Sequence, residues 1–379
     1  MDNLDFDQLH ALLDSVFSLR DDERWLTILV DLPDGRVPDT DAWRDRRAIA
    51  EEWCALLREG RSALPFTDVV YCTYPNVGSN NNDLPGMAVV TRAVVRDAGS
   101  AEAEAHMEMR TILESSSVVL APTQLSATAP LKLLAREYGF RGATLPGFSR
   151  QMLPVLALDY EKVNARVVEF RDRMDRADGI AISLVADGRE YGSYFDLRFR
   201  GGHASGGLMR EPGTVGNLPS GEAYIVPYEG EREGEPSLTA GELPVQFGDE
   251  IVVYRLEENR AVAVLTTGPS SDDERRLLEE EPAYGNMAEV GIGVLGEWGV
   301  QAVGSTLLDE KLGLHIAFGR SDHFGGVTSP ASFRDRGRVV HIDRVYVESV
   351  QPRIAVREVA FDYGGGGTEV IMRDGAFVV

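Results

Sequence analysis

The chain has 379 residues, of which 61 are Asp or Glu and 38 are Lys or Arg, giving a formal charge of −23 at neutral pH. Phosphate backbones and anionic lipid surfaces repel so acidic a protein, so neither nucleic acid nor membrane is expected as a partner. The 43 % of hydrophobic residues suffices for full cores, and the length suits two domains, expected at 1–165 and 166–379.

The first residues, Met1-Asp2-Asn3-Leu4-Asp5, are acidic where a secretory signal needs positive charge. No apolar run reaches the roughly 18 residues of a membrane span, so a cytoplasmic protein is expected. Leu4 to Leu19 predicts a helix, because Leu4, Leu9, Leu12, Leu13, Val16 and Phe17 form one stripe. Trp25 to Val30 is a compact apolar run that fits a buried strand. Asp39 or Thr40 caps a second helix through Leu57, which ends at Gly60. Thr67 to Cys72 is the next strand. Its Cys72 and the lone Cys54 are too few for a disulfide framework and read as reduced core residues. A helix is predicted near Ala101 to Leu113, then a strand at Val118 to Pro122 and a helix at Pro130 to Tyr138. Strands separated by helices imply crossovers and a Rossmann-like, mostly parallel N-terminal sheet. No strand is followed by a glycine-rich nucleotide fingerprint.

Beyond a charged helix at Val163 to Arg176, alternating strands dominate, as expected of a mixed α/β domain. They are predicted at Ile180–Val185, Tyr194–Phe199 and Ala223–Val226, with a hairpin joining Ile251–Leu256 to Ala261–Leu265 through Glu257-Glu258-Asn259-Arg260. Ser271-Asp272-Asp273-Glu274 reads as a capping box for a short helix toward Glu281. Arg338 to Val347 alternates as a strand, the glycines at 364–367 form a flexible connection, and two strands meet around Asp374-Gly375.

Three of the six histidines, His315, His323 and His341, fall close together near carboxylates, as a metal site demands. In the strand Val339 to Val345 a period of two aims His341 and Asp343 at one face. Glu310 and His315 are five residues apart, a spacing that a turn into a strand would bring together. Glu289 and Glu222 each stand among apolar residues and glycines, where a carboxylate is costly unless paired, protonated or bound to metal.

These segments read NLPSGE (217–222), EVGIG (289–293), DEKLGLHIAFG (309–319) and HID (341–343). Together they resemble the aminopeptidase T and aminopeptidase S family of metallopeptidases, over roughly residues 158 to 345. The resemblance implies two divalent metals, zinc, cobalt, manganese or magnesium, held by Glu222, Glu289, Glu310, His315, His341 and Asp343. It implies removal of an N-terminal residue by attack of metal-bound water, with Glu222 or Glu289 moving the proton. A homodimer and a peptide or small amine-bearing substrate follow from the same resemblance.

The chain departs from the family on the substrate side. Where the family has a tyrosine after H-I-A-x-G, this sequence reads Arg320-Ser321-Asp322-His323-Phe324, and His323 is the candidate donor in its place. A hydrolase of the same cage acting on a small amide, amine or aromatic metabolite fits that change. The 2,5-dihydroxypyridine dioxygenases, which hold one Fe(II) through two histidines and an aspartate, are a third reading. They lack several of the glutamates that this chain keeps.

Overall fold

The structure, a computed structural model, describes residues 3–96 and 99–379, with the backbone alone for 93–96 and 99–102. The chain is mixed α/β and divides into two compact units. One comprises Met1–Asn164 and Ser205–Ser220, the other Ala165–Ala204 and Gly221–Val379, so the chain passes between units three times.

The first unit opens with α1 (Phe6–Phe17). Asp5 accepts from the Gln8 backbone and the Gln8 side chain accepts from Asp5 N, a reciprocal cap that fixes the helix start. Its buried stripe is Leu9, Leu12, Leu13, Val16 and Phe17. After β1 (Trp25–Leu32), Thr40 caps α2 (Asp41–Glu59) by accepting from Trp43 N, and Gly60 ends it. Then follow β2 (Asp68–Pro75), β3 (Met87–Arg96), β4 (Gly99–Glu108), α3 (Met109–Ser115), β5 (Ser116–Ala121), α4 (Thr128–Tyr138), β6 (Arg141–Thr144) and α5 (Leu153–Leu156). In the sheet β6, β5, β1 and β2 run parallel, and the returning segment adds Val215–Asn217 (β10 in chain order) parallel to β6.

The sheet is mostly parallel, as expected, with β3 and β4 extending it as an antiparallel hairpin, and one expectation is corrected. Residues 101–108 are therefore strand rather than helix, and only Met109–Ser115 is helical. Ala and Glu favour helix individually, but Ala101-Glu102-Ala103-Glu104-Ala105-His106 alternates with period two, and pairing with β3 overrides propensity. Cys54 and Cys72 are free and buried, Cys72 within the core with Leu29, Val70, Ile112 and Val119.

Helix α6 (Tyr160–Met174) leads to the second unit, which contains two sheets. The larger uses β7 (Gly179–Ala186), β8 (Arg189–Asp196), β12 (Ala240–Phe247), β13 (Glu250–Glu257), β14 (Arg260–Val264), β18 (Ile354–Asp362), β19 (Thr368–Arg373) and β20 (Ala376–Phe377). The hairpin between β13 and β14 turns on Glu258 and Asn259, both with positive φ, and the glycine run at 364–367 joins β18 to β19. Strand β8 stops at Asp196, short of the expected Phe199, whose φ of 66° breaks the extended run. The smaller sheet orders β17 (His341–Val345), β16 (Leu314–Gly319), β15 (Met287–Gly293), β11 (Glu222–Ile225) and β9 (His203–Ser205).

Helix α7 (Pro269–Glu280) begins earlier than its expected capping box. Ser271 lies in its first turn, and the cap is the Glu250 carboxylate on β13, which accepts from Ser270 N, Ser271 N and Ser271 Oγ. Glu274 instead accepts from the Tyr254 and Tyr284 hydroxyls. Among the described residues no helix is long and apolar enough to cross a membrane. The last helix, α8 (Thr306–Asp309), runs into a short turn at Glu310–Leu312.

Candidate metal centre

The register of the smaller sheet assembles the site. Glu222 and Tyr224 on β11 face Gly293 and Gly291 on β15, Gly291 faces His315 on β16, and Glu289 faces Ala317. Ala317 in turn faces Asp343 on β17, and Gly319 faces His341. With a side-chain period of two, Glu222, Glu289, His315, His341 and Asp343 all rise from one face. The positions between them on that face are Gly291, Gly293, Ala317 and Gly319, which leave the space that the larger groups fill. A Cβ on Gly291 would run into the His315 ring, and one on Gly293 into the Glu310–Lys311 backbone.

Both imidazoles are oriented in the same way. His315 Nδ1 donates to Gly313 O at 3.3 Å and His341 Nδ1 donates to Arg320 O at 2.8 Å. Each ring therefore turns Nε2 toward the carboxylates, an arrangement that fixes the tautomer a metal ligand needs. Glu289 stands between them, with Oε1 3.2 Å from His315 Nε2 and Oε2 3.6 Å from His341 Nε2. Glu222 Oε2 is 3.4 Å from His315 Nε2 and Asp343 Oδ1 is 3.5 Å from His341 Nε2.

Glu310 sits in the turn before β16 and reaches this group through Lys311. Lys311 is buried, and its Nζ donates to Glu222 Oε1 at 2.5 Å and to Glu310 Oε1. Glu222 Oε2 is buried without a hydrogen-bond partner. The neighbouring Asp309 is structural, accepting from Val303 N and Gly304 N.

The electrostatics follow from crowding like charges away from water. Burial raises Glu289 and pushes Glu310 up to about 8. Burial works against charge on both imidazoles, yet the carboxylates win: His315 rises to about 9 and His341 to about 10. Asp343 is buried too, but the hydrogen bond and charge of His341 hold it below the usual carboxylate range.

His323 sits in the turn Asp322–Phe324, with Nδ1 3.7 Å from Asp322 Oδ1. Its ring centroid is 5.3 Å from that of His341, and lost hydration and the charge of His341 bring it down to about 4. The loop is held by Glu229, which accepts from Ser321 Oγ, Val327 N, Thr328 N and Thr328 Oγ1. Beside it Tyr224 stacks on His203 at 5.0 Å and meets Phe324 edge-on at 4.9 Å. Burial and the charges of Glu289 and Glu222 lift the Tyr224 phenol above its ordinary range.

Sequence reasoning thus missed Lys311, Tyr224 and Glu229. The first two had a signal: Lys311 follows Glu310 directly, and Tyr224 lies two residues beyond Glu222 and so on the same face. Glu229 had none, since its partners are about 92 to 99 residues away.

As a donor set, two imidazoles and the surrounding carboxylates suit a divalent cation of borderline or hard character. Two trios have ligand atoms within 4.8 Å of one another: Glu222, Glu289 and His315, and Glu289, His341 and Asp343. The free Oε2 of Glu222 aims a lone pair into the same group. The residues fit a metal.

No protein-family model and no curated protein matches the chain by sequence. Among the solved structures that match, two share its fold from end to end. A 2,5-dihydroxypyridine dioxygenase from Pseudomonas putida KT2440 superposes with a TM-score of 0.60 at 14 % identity, covering 99 % of this chain and 98 % of its own. Wild-type AmpT from Thermus thermophilus does so with a TM-score of 0.58 at 15 % identity, covering 99 % of each chain.

Proposed function

We propose that the chain is a metal-dependent hydrolase, and within that class an aminopeptidase acting on the free N-terminus of a peptide or on a small amine-bearing amide. The observation that carries this reading is Glu289 held between two imidazoles, each tied to a backbone carbonyl through Nδ1. The end-to-end fold likeness to AmpT supports it, as do the sequence segments that resemble the aminopeptidase T family. Glu222, Glu289, Glu310, His315, His341 and Asp343 are the candidate ligands.

A divalent cation bound there would polarise a scissile carbonyl and activate water. This chain's own residues supply the rest. Glu222, with Oε1 on Lys311 and Oε2 without a hydrogen-bond partner, can take a proton from water and return it to the leaving amine. The surplus of carboxylates would attract a substrate ammonium, and His323 at the edge would donate to developing negative charge. A homodimer belongs to the same proposal.

A panel of aminoacyl-anilides, assayed after chelation and after readdition of zinc, cobalt, manganese or magnesium, tests the reading. Turnover should disappear and return with metal. If no aminoacyl substrate turns over while metal is bound, the peptidase assignment falls and a non-peptide amide remains. His315, His341 and Asp343 offer two imidazoles and one aspartate, and with the dioxygenase fold likeness they support a second reading as an Fe(II) oxygenase. Oxygen consumption with 2,5-dihydroxypyridine after anaerobic Fe(II) loading would select it.

A further inference from the structure

The Glu222–Glu310 side of the site already contains a cation. Lys311 is 1 % exposed as a residue, and its Nζ is shared by one oxygen of each glutamate. An ammonium removed from water this fully persists only when paired, and two carboxylates pair it here. From this geometry we infer that Lys311 is a resident cation which restricts the site to one divalent ion, bound by Glu289, His341 and Asp343. The inference rests on the metal-dependent reading above and refines it.

Two observations carry it. The first is charge. With every carboxylate ionised and both imidazoles neutral, as a fully loaded site requires, four carboxylates and one ammonium carry three net negative charges. One divalent ion reduces that to one, whereas two would leave a buried site with net positive charge beside an immovable ammonium. The second is geometry. A divalent ion on Glu222 Oε1 or Glu310 Oε1 would share a carboxylate oxygen with Nζ, and one held by Glu222 Oε2 with Glu289 and His315 would share the Glu222 carboxylate with it, in each case setting a second cation beside the ammonium. The trio Glu289, His341 and Asp343 has no contact with Nζ, and it is the more open of the two: the His341 side chain is 20 % exposed and that of His315 is 0 %. Lys311 then acts as a positioning residue, holding Glu222 by Oε1 so that Oε2 faces the site.

The test is ion stoichiometry by native mass spectrometry and calorimetric titration of the full chain with Zn²⁺ and Mn²⁺, together with anomalous scattering from crystals grown with either ion. The wild type should bind one ion per chain, located between Glu289, His341 and Asp343. Lys311→Met should bind two, and Lys311→Arg, which keeps the charge, should stay at one. Two ions in the wild type, or one ion located between Glu222 and Glu310, would overturn the inference while leaving the metal-dependent reading intact. If Lys311→Met folds and still binds one ion, Lys311 is not what limits the number. If the wild type binds neither ion below about 1 mM, which corresponds to only about 4 kcal/mol of affinity, both readings fall together. The wild-type count and the ion's position decide the matter even if the methionine variant does not fold.

Discussion

Gly291 shows how one missing methyl group makes room for the site. The His315 ring crosses the neighbouring strand over Gly291, so Gly291→Ala should cost about 1–3 kcal/mol through overpacking. Chemical denaturation of Gly291→Ala, His315→Ala and the double variant checks this. The penalty should largely disappear once the ring is removed, and an equal penalty in both backgrounds would refute the steric explanation. His341 carries a second prediction. Its Nε2 lies near Glu289 and Asp343, which raise it to about 10, so at pH 7.5 the ion-free ring is charged. A cation needs the neutral ring, so binding should release a proton and tighten as pH rises toward about 10. Calorimetric titration in two non-coordinating buffers of different ionisation enthalpy should therefore give heats that differ by that difference for about one proton released. Identical heats would mean that His341 is not displaced from its proton. Glu222 and Glu289 stood out in the sequence because a carboxylate among apolar and glycine neighbours demands a partner, and His341 and Asp343 because a period of two puts them on one face of their strand. Lys311 was passed over although it follows Glu310 directly, because a lysine in a charged tripeptide reads as solvent-exposed until the sheet closes over it.

At the scale of elements, most helices and strands follow from periodicity, and the failures share a cause. Where a distant element supplies the partner, the local pattern misleads. The run at 101–108 has helical composition but is claimed by β3, and the capping box at 271–274 is displaced by a carboxylate from β13. That carboxylate gives a prediction. Hydrogen bonds from Ser271 and Ser270 hold Glu250 below the ordinary glutamate range, so it contributes stability when ionised. The contribution is fully present above the unfolded glutamate pKa and is lost as pH falls through the lower folded value. Glu250→Gln should therefore lower the thermal midpoint at pH 7 by a few degrees, with the gap to wild type closing toward pH 3. A gap independent of pH would mean that the carboxylate's charge plays no part in capping α7. The smaller sheet is the element most fully legible in hindsight, since E-x-G-x-G on β15 and H-x-A-x-G on β16 alternate a functional or small residue with a buried apolar one.

For the whole molecule, the charge of −23 and the candidate site make separable demands on solution conditions. Most acidic residues are surface groups, many in exposed pairs such as Arg357–Asp374 and Arg276–Asp273, each worth little alone. Their mutual repulsion is long-ranged, so it should be screened by any salt, and stability should climb gradually between about 10 and 200 mM NaCl as the Debye length shrinks. The buried cluster responds differently. Bulk salt reaches it poorly, whereas a divalent ion that binds only the folded chain stabilises by mass action, about 2.7 kcal/mol at a hundredfold excess over its dissociation constant. At fixed ionic strength, micromolar Zn²⁺ or Mn²⁺ added to chelator-treated protein should therefore raise the thermal midpoint by several degrees and then saturate. Glu289→Gln should abolish that rise and leave the response to NaCl unchanged, because it removes a carboxylate shared by both ligand trios but only one surface-independent charge. Scanning calorimetry across the two titrations distinguishes these outcomes. A divalent response that merely follows ionic strength would mean that the cluster of acids and imidazoles holds no ion, whatever its geometry permits.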